Sequence, residues 1–179
     1  NNRLYRALVN AVTEATPPDA LARYRALLNQ IAAATRPPTK VTVKVIDGVI
    51  RNALVCLDQN ANGACDAGET QGRTDANGSV TLAVPAADVG KYRVIAVVGP
   101  GAVDADSGPV TTPYTMAAPS DQTAVISPLT TLVAQTAATR GLSTDAAAKM
   151  LQEMSGLPSM MGDYTQSGAP GAATAATVA

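Results

Sequence analysis

Residues 53–69 read ALVCLDQNANGACDAGE, an apolar run that gives way at Asp58 to oxygen-bearing side chains at alternate positions. From Asp58 to Glu69 the residues fit the calcium-loop pattern D-x-[DN]-x-[DN]-G-x5-E without a mismatch. Asp58, Asn60 and Asn62 hold loop positions one, three and five, where alternate side-chain oxygens turn toward a hard cation. Gly63 holds position six, the sharp bend. Ala64 offers a main-chain carbonyl at position seven, Asp66 a water-mediated contact at position nine, and Glu69 a bidentate carboxylate at position twelve. The expected ligands of a bound Ca2+ are therefore Asp58, Asn60, Asn62, Ala64, Asp66 and Glu69. The competing reading is a metal-free polar turn, since Asn, Asp and Gly also collect where side chains bond the nearby backbone.

The residues that lead into the loop decide the fold. Val41–Ile46 and Ala53–Leu57 are rich in Val, Ile and Leu, and VTVKV alternates apolar with polar as a half-buried strand does. The loop is thus expected at the end of a β-strand, with no entering helix. Sensor behaviour needs two helices that open when calcium arrives; an ion placed here would instead fix a loop.

Cys56 lies two residues before the loop and Cys65 at its eighth position, with eight residues between them. A disulfide would staple strand to loop, and the alternative is a pair of buried free thiols. No CxxC or Cys/His metal spacing competes for these residues, which favours the bridge. A bridge persists in an oxidising compartment, so the expected location is extracellular or on the outer cell surface, with the periplasm as the alternative.

The chain of 179 residues has room for one ordinary domain or two small ones. It contains no Phe or Trp, and its five aromatic residues are all Tyr, so the core must be built from Val, Leu, Ile and Ala. Small side chains bury less apolar surface each, which makes a disulfide and a bound ion useful supplements. A formal net charge of −1 argues against a general nucleic-acid binder. Residues 1–40 carry six of the thirteen Lys/Arg and two of the fourteen Asp/Glu, so the start is basic and the remainder acidic. No apolar run is long enough to span a membrane. The absence of an initiator Met and a signal peptide suggests a processed or excised part of a longer chain, with room for a lipid anchor outside it.

The expected architecture is α+β. Residues 1–38 read as an N-terminal helical hairpin: Leu4, Leu8 and Val12 repeat at helical spacing, Thr16-Pro17-Pro18-Asp19 opens a second helix, and Leu21, Tyr24, Leu28 and Ile31 form its stripe. Tyr5 and Tyr24 are expected to pack between these helices. Residues 39–126 read as antiparallel strands, with a tight Asn77-Gly78 turn opening SVTLAV and a further strand over Tyr92–Val98. Asp75 and Asn77 are expected to shape that hairpin rather than to add ligands, and Asp104 and Asp106 lack a third ligand at fixed spacing. Residues 127–160 read as a helical pair, capped at Ser127 and Ser143, with Met150, Leu151 and Met154 on the buried side and Gly156-Leu157-Pro158 as the stop. Residues 161–179, ending in SGAPGAATAATVA, form a Gly/Ala-rich tail that would be ordered only by docking, for example on a sheet edge of its own or a neighbouring chain.

The run VKVIDGVIRNALVCLDQNANGACDAGETQGRTDANGSVTL resembles a module of bacterial secreted proteins and lipoproteins. It is similar to the carboxypeptidase-regulatory-like and serine-aspartate-repeat B-like domains, in which an NAxVxLDxNxNG strand and loop precede a TDxxGxxxL hairpin. Asn52, Ala53, Val55, Leu57, Asp58, Asn60, Asn62, Gly63, Thr74, Asp75, Gly78 and Leu82 carry the match. ISPLTTLVAQ and SGLP also resemble the helical pair that follows this module in Gram-negative envelope proteins. The resemblance implies an Ig-like or prealbumin-like β-sandwich with a calcium-stiffened loop, no enzymatic activity, and a place on or outside the cell. The cysteine pair departs from the serine-aspartate-repeat pattern.

Catalysis is disfavoured by the residues themselves. With no His in the chain there is no Ser-His or Cys-His pair and no histidine ligand, and no Walker or dinucleotide glycine pattern occurs. The expected function is a non-enzymatic extracellular structural subunit of a cell-surface assembly or filament, self-associating through the C-terminal tail or the N-terminal helices. The alternative is a monomeric envelope lipoprotein or adhesin module that binds a ligand through its loops.

Overall fold

A computed structural model describes residues 6, 9–10, 17–157 and 159–166 of the chain. The first predicted helix, with Leu4, Tyr5, Leu8, Val12 and the Thr16 cap, lies largely outside the described residues, as do Pro158 and the tail from residue 167 onward. The chain divides into two compact units, residues 1–37 and residues 38–179. The architecture is α+β with antiparallel sheets.

In the first unit, helix α1 spans Pro18–Ala34. Proline is tolerated at its first position because that N–H has no helical partner. Thr35 closes the last turn by donating its hydroxyl to the Ile31 carbonyl at 2.9 Å, and Pro37-Pro38 stops the helix. Leu21 and Leu28 are half-buried. Tyr24 and Ile31, expected to be packed, are instead 54% and 51% exposed, as is Leu27 at 52%.

In the second unit, ten strands precede two helices. They are β1 (Thr39–Val45), β2 (Ile50–Arg51), β3 (Leu54–Leu57), β4 (Gln71–Arg73), β5 (Ser79–Val84), β6 (Val94–Val98), β7 (Val103–Asp104), β8 (Gly108–Pro109), β9 (Tyr114–Ala118) and β10 (Val125–Ile126). One sheet runs β10-β1-β5, a second β4-β3-β6-β9, and a small third β2-β7-β8. All pairings between named strands are antiparallel except β1 with β10, which the chain reaches by crossing over from β9 in the other sheet.

The period-two pattern read from the sequence decides which faces meet. Val43 and Val45 of β1, and Val80, Leu82 and Val84 of β5, point inward, while Thr42 and Thr81 point out and bond each other at 3.0 Å. They share one core with Val55, Leu57, Val94, Ala96, Val98 and Met116 of the four-stranded sheet. The outer face of that sheet holds a second, small cluster in which Cys56, Ile95 and Ala117 pack against Cys65 and Ala134.

Gly78 is required where it stands: its φ is +72°, and a Cβ there would lie 2.8 Å from the Val45 carbonyl oxygen. Asp75 spends its carboxylate on the same turn, accepting the N–H groups of Asn77 and Ser79 at 2.8 and 2.9 Å. The buried Thr74 hydroxyl donates to the Ile50 carbonyl at 2.7 Å and accepts the Ala53 N–H at 2.9 Å, tying β2, β3 and the hairpin together.

Helices α2 (Pro128–Arg140) and α3 (Thr144–Ser155) follow, with caps where the sequence puts them. Ser127 and Thr130 form a reciprocal capping box, Ser143 caps α3, and Gly141 and Gly156 end the helices in the left-handed region. Leu129, Val133, Ala147 and Ala148 bury against Ile46, Leu157, Met160 and Tyr164. On α3 the packing face is made by the small side chains of Ala147 and Ala148. Met154, expected on that face, is 74% exposed. The first residues of the predicted tail belong to this packing: Tyr164 is buried, and Asp163 pairs with Lys44 of β1 at 2.7 Å.

Candidate metal centre

Strand β3 delivers Asp58 directly into the loop, and the Leu57-to-Val94 register with β6 sets Arg93 beside it. The Asp58 N–H donates to the Arg93 carbonyl at 3.1 Å, which fixes that alignment. The Cys56–Cys65 disulfide forms, with Cα atoms 5.6 Å apart, and ties the loop's eighth position to the outer face of the sheet. Gly63, at the predicted bend, has φ +76°, and Ala61 two residues earlier also lies in the left-handed region at +59°.

The six candidate ligand residues come together as a hydrogen-bonded knot. Asp58, with a fully inaccessible side chain, accepts the Asn62 N–H on Oδ1 and the Gly63 N–H on Oδ2, each at 3.0 Å. The Asn62 N–H is shared with Asn60 Oδ1 at 3.1 Å, and Asn62 Oδ1 accepts the Ala64 N–H at 2.8 Å. The amide nitrogens of Asn60 and Asn62 both donate to Asp66 Oδ2, at 2.8 and 2.7 Å, and these donors hold the Asp66 carboxyl below its ordinary pKa. Glu69 reaches back across the loop, accepting the Gln59 N–H at 2.8 Å and the Asp66 N–H at 3.0 Å.

Sequence reasoning missed Arg93. Its Nε and Nη2 lie 2.8 and 2.5 Å from Asp58 Oδ2. No signal within the loop announces it, since it stands 35 residues away and only the β3–β6 register brings it in. Asp75, also near in sequence, spends its carboxylate on its own turn, to which Asn77 contributes its main-chain N–H.

The donors of this loop are all oxygens, as a hard cation requires, and the bend falls at Gly63. Against that, Asp58 Oδ2 is engaged by a guanidinium, and the asparagine amides face Asp66 with their NH2 groups. Among the described residues, no group of three Asp, Glu, His or Cys side chains stands ready to hold an ion. The loop supplies oxygen donors in the order a calcium loop needs, and their present hydrogen bonds are those of a metal-free turn; binding an ion would exchange these bonds for metal contacts.

Another acidic group surrounds Gly48. A Cβ at that glycine would collide with Asp104 Oδ1 and lie 2.7 Å from Asp106 Oδ2. Asp104 is occupied locally, accepting the Asp106 N–H at 2.9 Å and the Ser107 hydroxyl at 2.7 Å. Burial pushes the neighbouring Asp47 carboxyl up, a Tyr114 hydroxyl at 3.3 Å opposes it, and Asp104 and Asp106 push it further up. A cavity of about 670 Å³ opens beside Gly63 and Arg93, walled by Ile95, Thr131, Ala134 and Gln135. Arg93 is the one charged residue of its lining among the described residues.

No family model, curated protein or solved structure matches the chain.

Proposed function

We propose that residues 39–126 form an Ig-like or prealbumin-like β-sandwich module, and that the protein is a non-enzymatic structural subunit of a cell-surface assembly, stiffened by calcium. The observation that carries the reading is the disulfide that pins an oxygen-only loop to the sheet. Disulfides persist outside the reducing cytosol, where free calcium also reaches the millimolar range that such modules bind. Asp58, Asn60, Asn62, Asp66 and Glu69 would hold the ion with the Ala64 carbonyl. The ion would supply positive charge that cross-links the carboxylates from the two ends of the loop. The expected affinity is on the order of 0.1 to 1 mM, as in extracellular modules.

Two features support a structural role over catalysis. The chain has no His, and the cavity beside the loop is walled by uncharged side chains with a single arginine that is already paired. The half-exposed Tyr24, Leu27 and Ile31 of α1 supply an apolar stripe of the kind that joins subunits, alongside the tail proposed from the sequence. Light scattering of the intact chain in calcium tests this reading. A mass of many subunits is expected, lost on replacing Tyr24, Leu27 and Ile31 with Ser or on deleting residues 167–179. A single-chain mass at all concentrations would sink the assembly reading and leave a monomeric display module.

A further inference from the structure

The side chain of Asp58 has no contact with solvent, and a buried carboxylate is costly unless a cation and hydrogen bonds compensate it. Calcium would be one such cation. Arg93 is already another. Its guanidinium places two N–H groups on Oδ2, while Oδ1 takes only the Asn62 N–H. The arrangement is fixed by backbone, because β6 pairs with β3 in a register that sets Arg93 against Asp58. It is also releasable. The Arg93 side chain is 40% exposed, and with Gly63 it borders the 670 Å³ cavity, so it has space to leave.

We propose that Arg93 is a resident counter-ion of the loop, competing with calcium for Asp58, so that it holds the loop folded without the ion and keeps calcium affinity low. This rests on the calcium reading of the loop. The loop carries three carboxylates, Asp58, Asp66 and Glu69, and Arg93 cancels one of their charges. A divalent ion entering beside Asp58 meets a positive charge one carboxylate away, and at that range Coulomb repulsion is large even with substantial solvent screening. Its entry should loosen the guanidinium and turn it toward the cavity.

Calorimetric calcium titration of the intact chain and of Arg93→Gln tests the competition. The variant should bind calcium about ten- to a hundredfold more tightly, the range expected when one unit charge is removed next to a divalent site. It should also melt below the wild type in chelator and recover in calcium. Arg93→Lys, which keeps the charge, should bind near the wild-type affinity. If the wild type binds calcium and Arg93→Gln binds equally or more weakly, the competition is refuted while the site stands. If neither binds, the site reading and the competition fall together.

A second measurement needs no variant. In a calcium titration followed by NMR, the Arg93 Nε–H resonance should shift and lose protection from exchange as the amides of residues 58–69 move. Loop amides that move past an unchanged Arg93 signal would overturn the competition alone, and a spectrum unchanged throughout would overturn both.

Discussion

Two groups of three carboxylates lie on the same unit, Asp58, Asp66 and Glu69 in one and Asp47, Asp104 and Asp106 in the other, and they differ in what faces them. In the loop from Asp58 to Glu69, each carboxylate is met by donors: Arg93 and backbone N–H groups at Asp58, two asparagine amides at Asp66, and two N–H groups at Glu69. Around Gly48, Asp104 is met only by its own turn, and Asp47 is crowded by its acidic neighbours with one long tyrosine hydrogen bond in return. A carboxylate contributes to a fold through the donors that face it. Counting acids along the sequence does not reveal which case holds.

The difference can be broken most severely at the disulfide. Replacing Cys56 and Cys65 with Ala should cost about 3 kcal/mol for a closed loop of this length, read as a lower midpoint in urea. The same change should abolish any calcium-dependent rise in melting temperature, because the loop is no longer held to the sheet. Asp58→Asn comes next. It leaves the Arg93 guanidinium without its carboxylate and should cost about 2 kcal/mol, the scale of hydrogen bonds to charged groups.

Asp163 extends the comparison to a third place. Burial pushes its carboxyl up, but hydrogen bonds from Lys44, Thr165 and Gln166 outweigh that and hold it at about 2. A folded value below the unfolded one means that its stabilisation is complete above the ordinary value of 3.8 and is lost as pH falls through about 2. Asp163→Asn should therefore cost about 1 kcal/mol at pH 7, the upper end for a single partly exposed pair. The deficit should shrink toward zero in melts taken between pH 4 and pH 2.

Asp47→Asn should have the smallest effect and the opposite sign. Its folded carboxyl keeps its proton to higher pH than the unfolded chain does, so its contribution is present below 3.8 and lost as pH rises through the raised folded value. At pH 7 the amide should stabilise by about 0.5 kcal/mol, within the range of minor surface substitutions, and at pH 3 the two proteins should melt together. A loss of stability at pH 7 would show that Asp47 is compensated after all.

Much of this was legible in the sequence, for identifiable reasons. Alternation in VTVKV and SVTLAV set the inward faces, because the strand period is fixed by backbone geometry. Ser127-Pro128, Gly141, Ser143 and Gly156 marked helix ends, since caps are local. The Cys56–Cys65 bridge followed from nearness within one loop. Contacts set by pairing across the chain were not legible: Arg93 against Asp58, Lys44 against Asp163, Asp47 beside Asp104. Met154 and Tyr24 sit on the apolar stripes that helical spacing draws, yet stand exposed. Spacing gives a face, and only the neighbours decide how much of it is covered.

The calcium loop is tested most directly by calorimetric melts of the intact chain in chelator and in 10 mM calcium, for the wild type and for Glu69→Gln. Calcium at about ten to a hundred times the expected dissociation constant should raise the wild-type melting temperature by roughly 4 to 9 °C for a unit of this size, and leave Glu69→Gln where it was. Superimposable wild-type melts would contradict the account and make residues 58–69 a polar turn closed by Arg93 and the disulfide.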